Sequence, residues 1–221
     1  MGYAWDFSVV WEYKLVFVWG AFVTAKLTAL AFVIALLIGF ALALLRISES
    51  RWLRAPATFY VEVFRSTPAL VQLVWIYYAL PLVTGFQLDS FTSVGVGLGL
   101  HTSAYYCEVI RAGILAVDRG QTDAAKAVGM RQSQVMRRIV LPQAVRFMVP
   151  PFMNETANLI KLTTLGSVLA VHELLHAGNN LITNTYRPLE VYTAIAVVFA
   201  VIIYPVIWAS QQLEKYWSRR S

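Results

Sequence analysis

Apolar runs close to the length that crosses a bilayer, roughly 20 residues, recur along this chain and restrict its fold more than any single motif does. Five passes are expected: Lys26 to Leu45, Phe59 to Val83, Phe91 to Leu115, Val145 to Val171, and Val191 to Leu213. A soluble core of 221 residues would not need them, and a hydrophobic content of 58% with mean hydropathy +0.61 agrees. The expectation is an all-α integral membrane bundle of five transmembrane helices, one domain over residues 1–221. The stretch from Val9 to Phe22 is apolar but broken by Glu12 and Lys14 and dotted with Trp and Tyr. It reads as an interfacial helix or as the outer end of the first pass. No basic region followed by a small-residue cleavage site precedes it, so no cleaved signal peptide is expected.

The formal charge of +6 and pI near 9.5 suggest an anionic partner such as nucleic acid. The positions of the basic residues favour topology instead. Arg46, Arg51 and Arg54 follow the first pass; Arg119, Lys126, Arg131, Arg137, Arg138 and Arg146 lie between the third and fourth; Lys215, Arg219 and Arg220 follow the fifth. The opposite side has Lys14 and Arg187, and the connection from Pro81 to Ser90 has none. By the positive-inside rule the N-terminus is outside and the C-terminus is cytoplasmic. Trp5, Trp11, Trp75, Trp208 and Trp217 read as interface anchors and lipid contacts. The single Cys107 excludes an internal disulfide and a multi-cysteine metal site, and reads as a buried small residue.

The basic segment between the third and fourth passes, about residues 116–143, is the most distinctive. Thr122 is expected to cap a short helix with Asp123 in its first turn. Ala124 and Ala125 leave a smooth face toward a partner. Gly129 is expected to end the helix at positive φ, which other residues adopt at a cost. Ser133 is expected to cap a second helix that Pro142 limits. Two short helices joined at a glycine beside a membrane form a docking knob. The plainer reading, a basic loop gripping anionic headgroups, explains the arginines but not the spacing.

Asp123-Ala124-Ala125, then Gly129, Ile139, Leu141 and Pro142, resembles the coupling loop of ABC importer permeases, with Asp123 where that family usually has Glu. The resemblance continues in Phe64-Arg65-Ser66-Thr67-Pro68, Leu70-Val71-Gln72-Leu73 and Tyr77 to Pro81. It runs on through Ser103-Ala104-Tyr105-Tyr106-Cys107-Glu108, Arg111-Ala112-Gly113-Ile114, Gly120-Gln121, Leu141-Pro142-Gln143-Ala144, Pro150-Pro151 and Asn154-Glu155. Together these are similar to permease subunits of polar amino acid importers, of the histidine/glutamine/glutamate family with the type I importer fold. The resemblance implies no covalent chemistry and no cofactor. It implies a second permease subunit, identical or homologous, and a cytoplasmic ATPase dimer on the coupling loops. It further implies an extracytoplasmic amino acid-binding protein, a polar amino acid as cargo, and a bacterial plasma (inner) membrane around it. ATP binding then closes the ATPases and moves the loops, and the path opens outward. No G-x-x-x-x-G-K-[ST] phosphate loop is present, so ATP hydrolysis falls to a separate chain.

Charges and polar groups inside the fourth pass are candidates for the path. Glu155 and Lys161 are costly at membrane depth and face either a cavity or a partner. They are not four residues apart, so they are not assumed to pair. Asn158, Thr163 and Thr164 would add hydrogen bonds; the plainer reading is a structural interface charge, with Lys161 snorkelling. Leu162 stands where the family often has an acidic residue, which blocks a simple transfer of substrate preference. Pro150-Pro151 is expected to interrupt the start of the pass. Glu62, Arg65, Glu108 and Arg111 read as interface charges, paired across helices or gating.

His172-Glu173-Leu174-Leu175-His176 matches H-E-x-x-H, in which two His at i and i+4 hold zinc and the Glu is general base. It carries the alternative from another class, a zinc-dependent intramembrane protease. Against it, no third His follows, Glu190 is the one nearby downstream carboxylate, and the motif adjoins a Gly-Asn-Asn turn at the end of the pass. A channel or secondary transporter without an ATPase is a third reading.

Overall fold

The computed structural model describes residues 3–218, and every regular element among them is helical. A short helix α1 (Ser8–Glu12) leads into α2 (Lys14–Ile47), a 34-residue helix. The long helix takes up most of the Val9 to Phe22 stretch, so the first pass begins well before Lys26. A helix of that length rises about 1.5 Å per residue, more than a bilayer core needs.

The second expected pass is not one rod. α3 (Arg51–Ser66) and the run that begins with α4 (Ala69–Val74) and ends with α5 (Leu80–Thr84) meet at 108°. Pro68 causes the break: its ring disfavours helical geometry at Thr67, which is extended with φ −113° and ψ 143°. Between α4 and α5 the chain makes a π turn, Trp75–Ala79, in which the Leu80 amide bonds the Trp75 carbonyl. Pro81 follows at once.

α6 (Ser90–Leu115) matches the third expected pass within a residue of each end. It is the interior helix, with Val94, Leu98, Ser103, Tyr106 and Cys107 all at 0% exposure. Small residues let its neighbours close in. At Gly39 of α2, an added Cβ would lie 2.8 Å from the Cβ of Tyr106 and 2.9 Å from the Ser103 carbonyl. Tyr106 and Phe152 stack where α2, α6 and the fourth pass meet, Phe32 sets its ring edge to face against both, and the Tyr106 hydroxyl shares a 2.8 Å hydrogen bond with Thr156.

After α6 come α7 (Arg119–Ala127) and α8 (Gln132–Val135), then a second π turn, Met136–Val140, and α9 (Leu141–Leu162). Pro150-Pro151 does not interrupt α9, which runs through both; the Pro150 carbonyl accepts from the Ser210 hydroxyl at 3.2 Å. The helical part of the fourth pass ends at Leu162, short of Val171, in a tighter 3-10 segment, Thr163–Leu169. α10 (Leu174–Thr185) and α11 (Pro188–Ser218) complete the chain. Gly178-Asn179-Asn180 lies inside α10 and is no turn. Arg219 and Arg220 lie outside the described residues.

Two helices, Lys14–Ile47 and Pro188–Trp217, are each long and apolar enough to cross a membrane, and the bent pair makes a third if it counts as one span. Five separate passes therefore do not emerge from length and apolarity alone. The reason is compositional: α6 is diluted by Ser, Thr, Gly, His and Tyr, and α9 carries Arg146, Glu155 and Lys161.

The N-terminal segment is tied to the far end of the chain. Glu190, with 0% exposure, accepts from the Tyr3 hydroxyl and from the Asp6 amide at 2.9 Å, while Arg187 donates to the Ala4 carbonyl at 2.9 Å. Trp5, Trp11, Trp75 and Trp208 are all exposed on the outside of the bundle, as lipid contacts require.

Candidate coupling loop and polar cleft

The loop between α6 and α9 is a small folded unit. Its first helix starts earlier than expected: Asp118, not Thr122, is the cap, accepting from the Gly120 amide. Thr122 is internal, its hydroxyl bonded to the Arg119 carbonyl, and Asp123 is past the first turn. At the other end Gly129 has φ +84°; its amide bonds the Lys126 carbonyl at 2.9 Å and the Met130 amide bonds the Ala125 carbonyl at 3.1 Å. This pair of bonds is a Schellman closure, which requires a left-handed residue at this point. Arg131, not Ser133, caps α8, with the Gln134 side chain accepting from its amide at 2.9 Å. Pro142 does not end that helix. It sits two residues into α9, directly after the π turn, within one continuous helical run.

The two alanines face opposite ways. Ala125 is 4% exposed and packs with Val117, Val135, Val140 and Ala144 in the loop's own core, so it does not lie against a partner as expected. Ala124 is exposed, as are Asp123 and Lys126. Val128, 79% exposed at the tip, is a bare apolar side chain that the sequence reading missed. Its signal was available, a bulky apolar residue directly before the turn glycine. Ile139 is half-buried, and Leu141 and Pro142 are exposed where the loop rejoins the bundle.

Three of the path candidates converge. Glu155, Asn158 and Lys161 of α9 line a cleft of about 350 Å³, facing His101, Thr102 and Tyr105 of α6. Asn158 stands three residues from each charge, and its amide reaches Glu155 at 3.5 Å. Thr163 and Thr164 do not line the cleft. Thr163 is buried with its hydroxyl on the Ile160 carbonyl, and Thr164 bonds the Lys161 carbonyl. The opposite wall escaped the sequence reading. Thr102 is buried, and its Oγ1 has no hydrogen-bond partner among the described residues. Such a group costs free energy unless something fills the cleft.

Glu108 gathers charges from three helices. It accepts from Arg46 of α2, from Arg111 at 3.1 Å, and lies 3.3 Å from Arg65 of α3. Pairing across helices therefore holds for Arg65 and Glu108, with Arg46 joining from α2, whereas Arg111 pairs with Glu108 within α6. The Arg65 guanidinium also sits 5.5 Å over the ring of Tyr105, linking this node to the cleft wall.

His172-Glu173-x-x-His176 does not form the metal-binding helix face. Glu173 has 0% exposure, and both its oxygens cap α10, accepting from the Leu175 and His176 amides at 2.8 Å each. His172 precedes that helix, so the two imidazoles stack edge to face at 4.7 Å instead of sharing one helical side. Glu190 is engaged by Tyr3, Asp6 and Arg187. Among the described residues no three His, Cys, Asp or Glu are grouped to hold a metal. Burial pushes the Glu173 carboxyl up to about 7, against the opposing pull of the two amides.

Residues 35–219 match the family model of the binding-protein-dependent transport system inner membrane component. The chain belongs to this family. Like its other members it is a transport permease of an ABC importer, a membrane protein that works with ATPase and binding-protein partners and not an enzyme. The permease is 36% identical over 198 residues to the octopine transport system permease protein OccM of Rhizobium meliloti, covering 86% of this chain and 81% of that one. It is 33% identical over 196 residues to the arginine transport system permease protein ArtQ of Bacillus subtilis, covering 89% and 90%. Its fold superposes on the crystal structure of an amino acid ABC transporter with histidines at a TM-score of 0.91, with 34% identity over 97% of this chain and 100% of that chain. The MetNI methionine ABC transporter in inward-facing conformations shares the fold at a TM-score of 0.74 and 20% identity.

Proposed function

We propose that this permease carries a polar amino acid into the cytoplasm as one of two identical or homologous subunits around a central path. The bundle crosses the membrane five times, with the bent pair as the second crossing, the N-terminus outside and the C-terminus cytoplasmic. Asp123, Ala124, Gly129, Val128 and the Ile139-Leu141-Pro142 junction form the lever that cytoplasmic ATPases grip, with Ala125 holding its shape. An extracytoplasmic binding protein delivers the cargo.

The observation that carries the substrate reading is the cleft. Glu155 and Lys161 lie on one wall with Asn158 between them, suited to the ammonium and carboxylate of a zwitterion, and charges at this depth are otherwise hard to sustain. The relatives' names, an octopine, an arginine and an amino acid system, support the same cargo class.

Uptake tests this directly. Lys161→Met and Glu155→Gln, assembled with the ATPase in proteoliposomes, are expected to keep ATPase binding and to lose most amino acid uptake. Unchanged uptake in both variants would remove the cleft from the path.

A further inference from the structure

The wall opposite Glu155 contains a histidine whose hydrogen-bonding character is set from outside the cleft. His101 Nδ1 lies 3.0 Å from Gln72 Oε1. The amide nitrogen of Gln72 faces three acceptors where the chain bends: the Phe64 carbonyl at 3.0 Å, the Thr67 carbonyl at 3.2 Å and the Thr67 hydroxyl oxygen at 2.6 Å. The Thr67 hydroxyl spends its own proton on the Val63 carbonyl at 2.8 Å, so it can only accept from Gln72. Flipping the amide would point an oxygen at three oxygens. Gln72 therefore presents its oxygen to the imidazole, and Nδ1 must donate. In the neutral ring this leaves Nε2 as an acceptor. No protein hydrogen bond to Nε2 exists among the described residues, and the ring lines the cleft. Tyr105, at a ring distance of 5.2 Å, supports it from the side.

From this geometry we infer that His101 is a specificity-determining residue of the cleft, held as an acceptor by Gln72, and that it selects cargo whose end bears N–H donors. The inference rests on the cleft being the substrate path. The acceptor-only groups of the cleft, His101 Nε2 and the Glu155 carboxylate, then stand against one cation, Lys161, while the Thr102 hydroxyl and the Asn158 amide can accept or donate. A cationic side chain or an ammonium satisfies the acceptors, and the α-carboxylate meets Lys161. A second anionic group would meet lone pairs on His101 and Glu155. Gln72 is a positioning residue, since it acts through the ring.

The test uses the purified permease–ATPase complex without binding protein, and equilibrium binding of radiolabelled L-arginine and L-glutamate as probes. The parent complex should prefer L-arginine. His101→Phe keeps the ring's bulk without an acceptor, and should weaken L-arginine about tenfold, the scale of one charge-assisted hydrogen bond, while leaving L-glutamate nearly unchanged. His101→Asn restores an acceptor and should recover part of the preference. Gln72→Glu favours a doubly protonated ring, so Nε2 becomes a donor and the preference should shift toward L-glutamate. A merely structural role for the pair would lower both affinities together. An unchanged ratio of the two affinities in His101→Phe and Gln72→Glu, or no preference in the parent, overturns the inference. Lys161→Met and Glu155→Gln separate the two levels: if they alter binding and the His101 variants do not, only the selectivity assignment fails; if none of the four does, the cleft is not the path.

Discussion

At Gly129 geometry and contact can be separated. A Cβ there meets nothing within 4 Å, yet φ is +84°. A substitution is therefore penalised by backbone conformation alone, by about 1–2 kcal/mol for a β-branched side chain and less for Asn, which tolerates the left-handed region. Gly129→Val should loosen the lever and reduce both uptake and binding-protein-stimulated ATP hydrolysis, whereas Gly129→Asn should retain most of each; equal loss in both would point to contact instead of conformation. The alanines separate in the same way. Ala125→Trp overfills the loop's core and should raise its susceptibility to limited proteolysis before any ATPase is added. Ala124→Trp should leave proteolysis unchanged and block ATPase co-purification. The glycine was legible in the sequence because glycine takes a positive φ without the strain that a Cβ brings. The facing of the alanines was not, since two adjacent identical residues on a helix differ only in what packs behind them.

Elements show where one-dimensional reading stops. The limits of α6 agree with the expected pass to within a residue, and Asp89 caps its start, the carboxylate accepting from the Thr92 amide. The 108° break was not legible, although Pro68 was in view, because a residue before proline marks a boundary without giving an angle. Both π turns are followed directly by Leu-Pro, Leu80-Pro81 and Leu141-Pro142. Proline removes a donor and crowds the carbonyl four residues back, and a wider turn before it relieves the crowding. Glu173 makes the pH prediction at this scale. Its carboxyl is raised from 4.5 to about 7 in the folded state, so its ionised form is disfavoured there relative to the unfolded chain. Its contribution to stability is full below the unfolded value and is lost as pH rises through about 7. The melting temperature should therefore fall between pH 6 and pH 8 more in the parent than in Glu173→Gln; an identical pH dependence in both would show that Glu173 does not control it.

For the whole molecule, topology is the quantity to measure. In the proposed orientation the loop around Gln132 is cytoplasmic and α10 lies outside. Gln132 and Asn184 are exposed and suit cysteine labelling, whereas Gly178 is buried with Ile195 2.3 Å from an added Cβ. The native Cys107 is buried and should stay silent. Asn184→Cys should react with an impermeant maleimide in intact cells, and Gln132→Cys only after permeabilisation; the reverse pattern would invert the molecule. The helical class and the loop were readable from hydropathy and spacing. The cleft was readable only on its α9 wall, because Glu155 and Lys161 announce themselves by charge, whereas His101 and Thr102 acquire their roles from neighbours distant in sequence.

The contact between Asp6 and Glu190 joins residues 184 positions apart. During synthesis the amino end leaves the ribosome long before its acceptor exists. The strap therefore stays open while the intervening helices are made, and its closure can come only after Glu190 has emerged. A product truncated before Glu190 keeps its aromatic amino-terminal segment without this anchor.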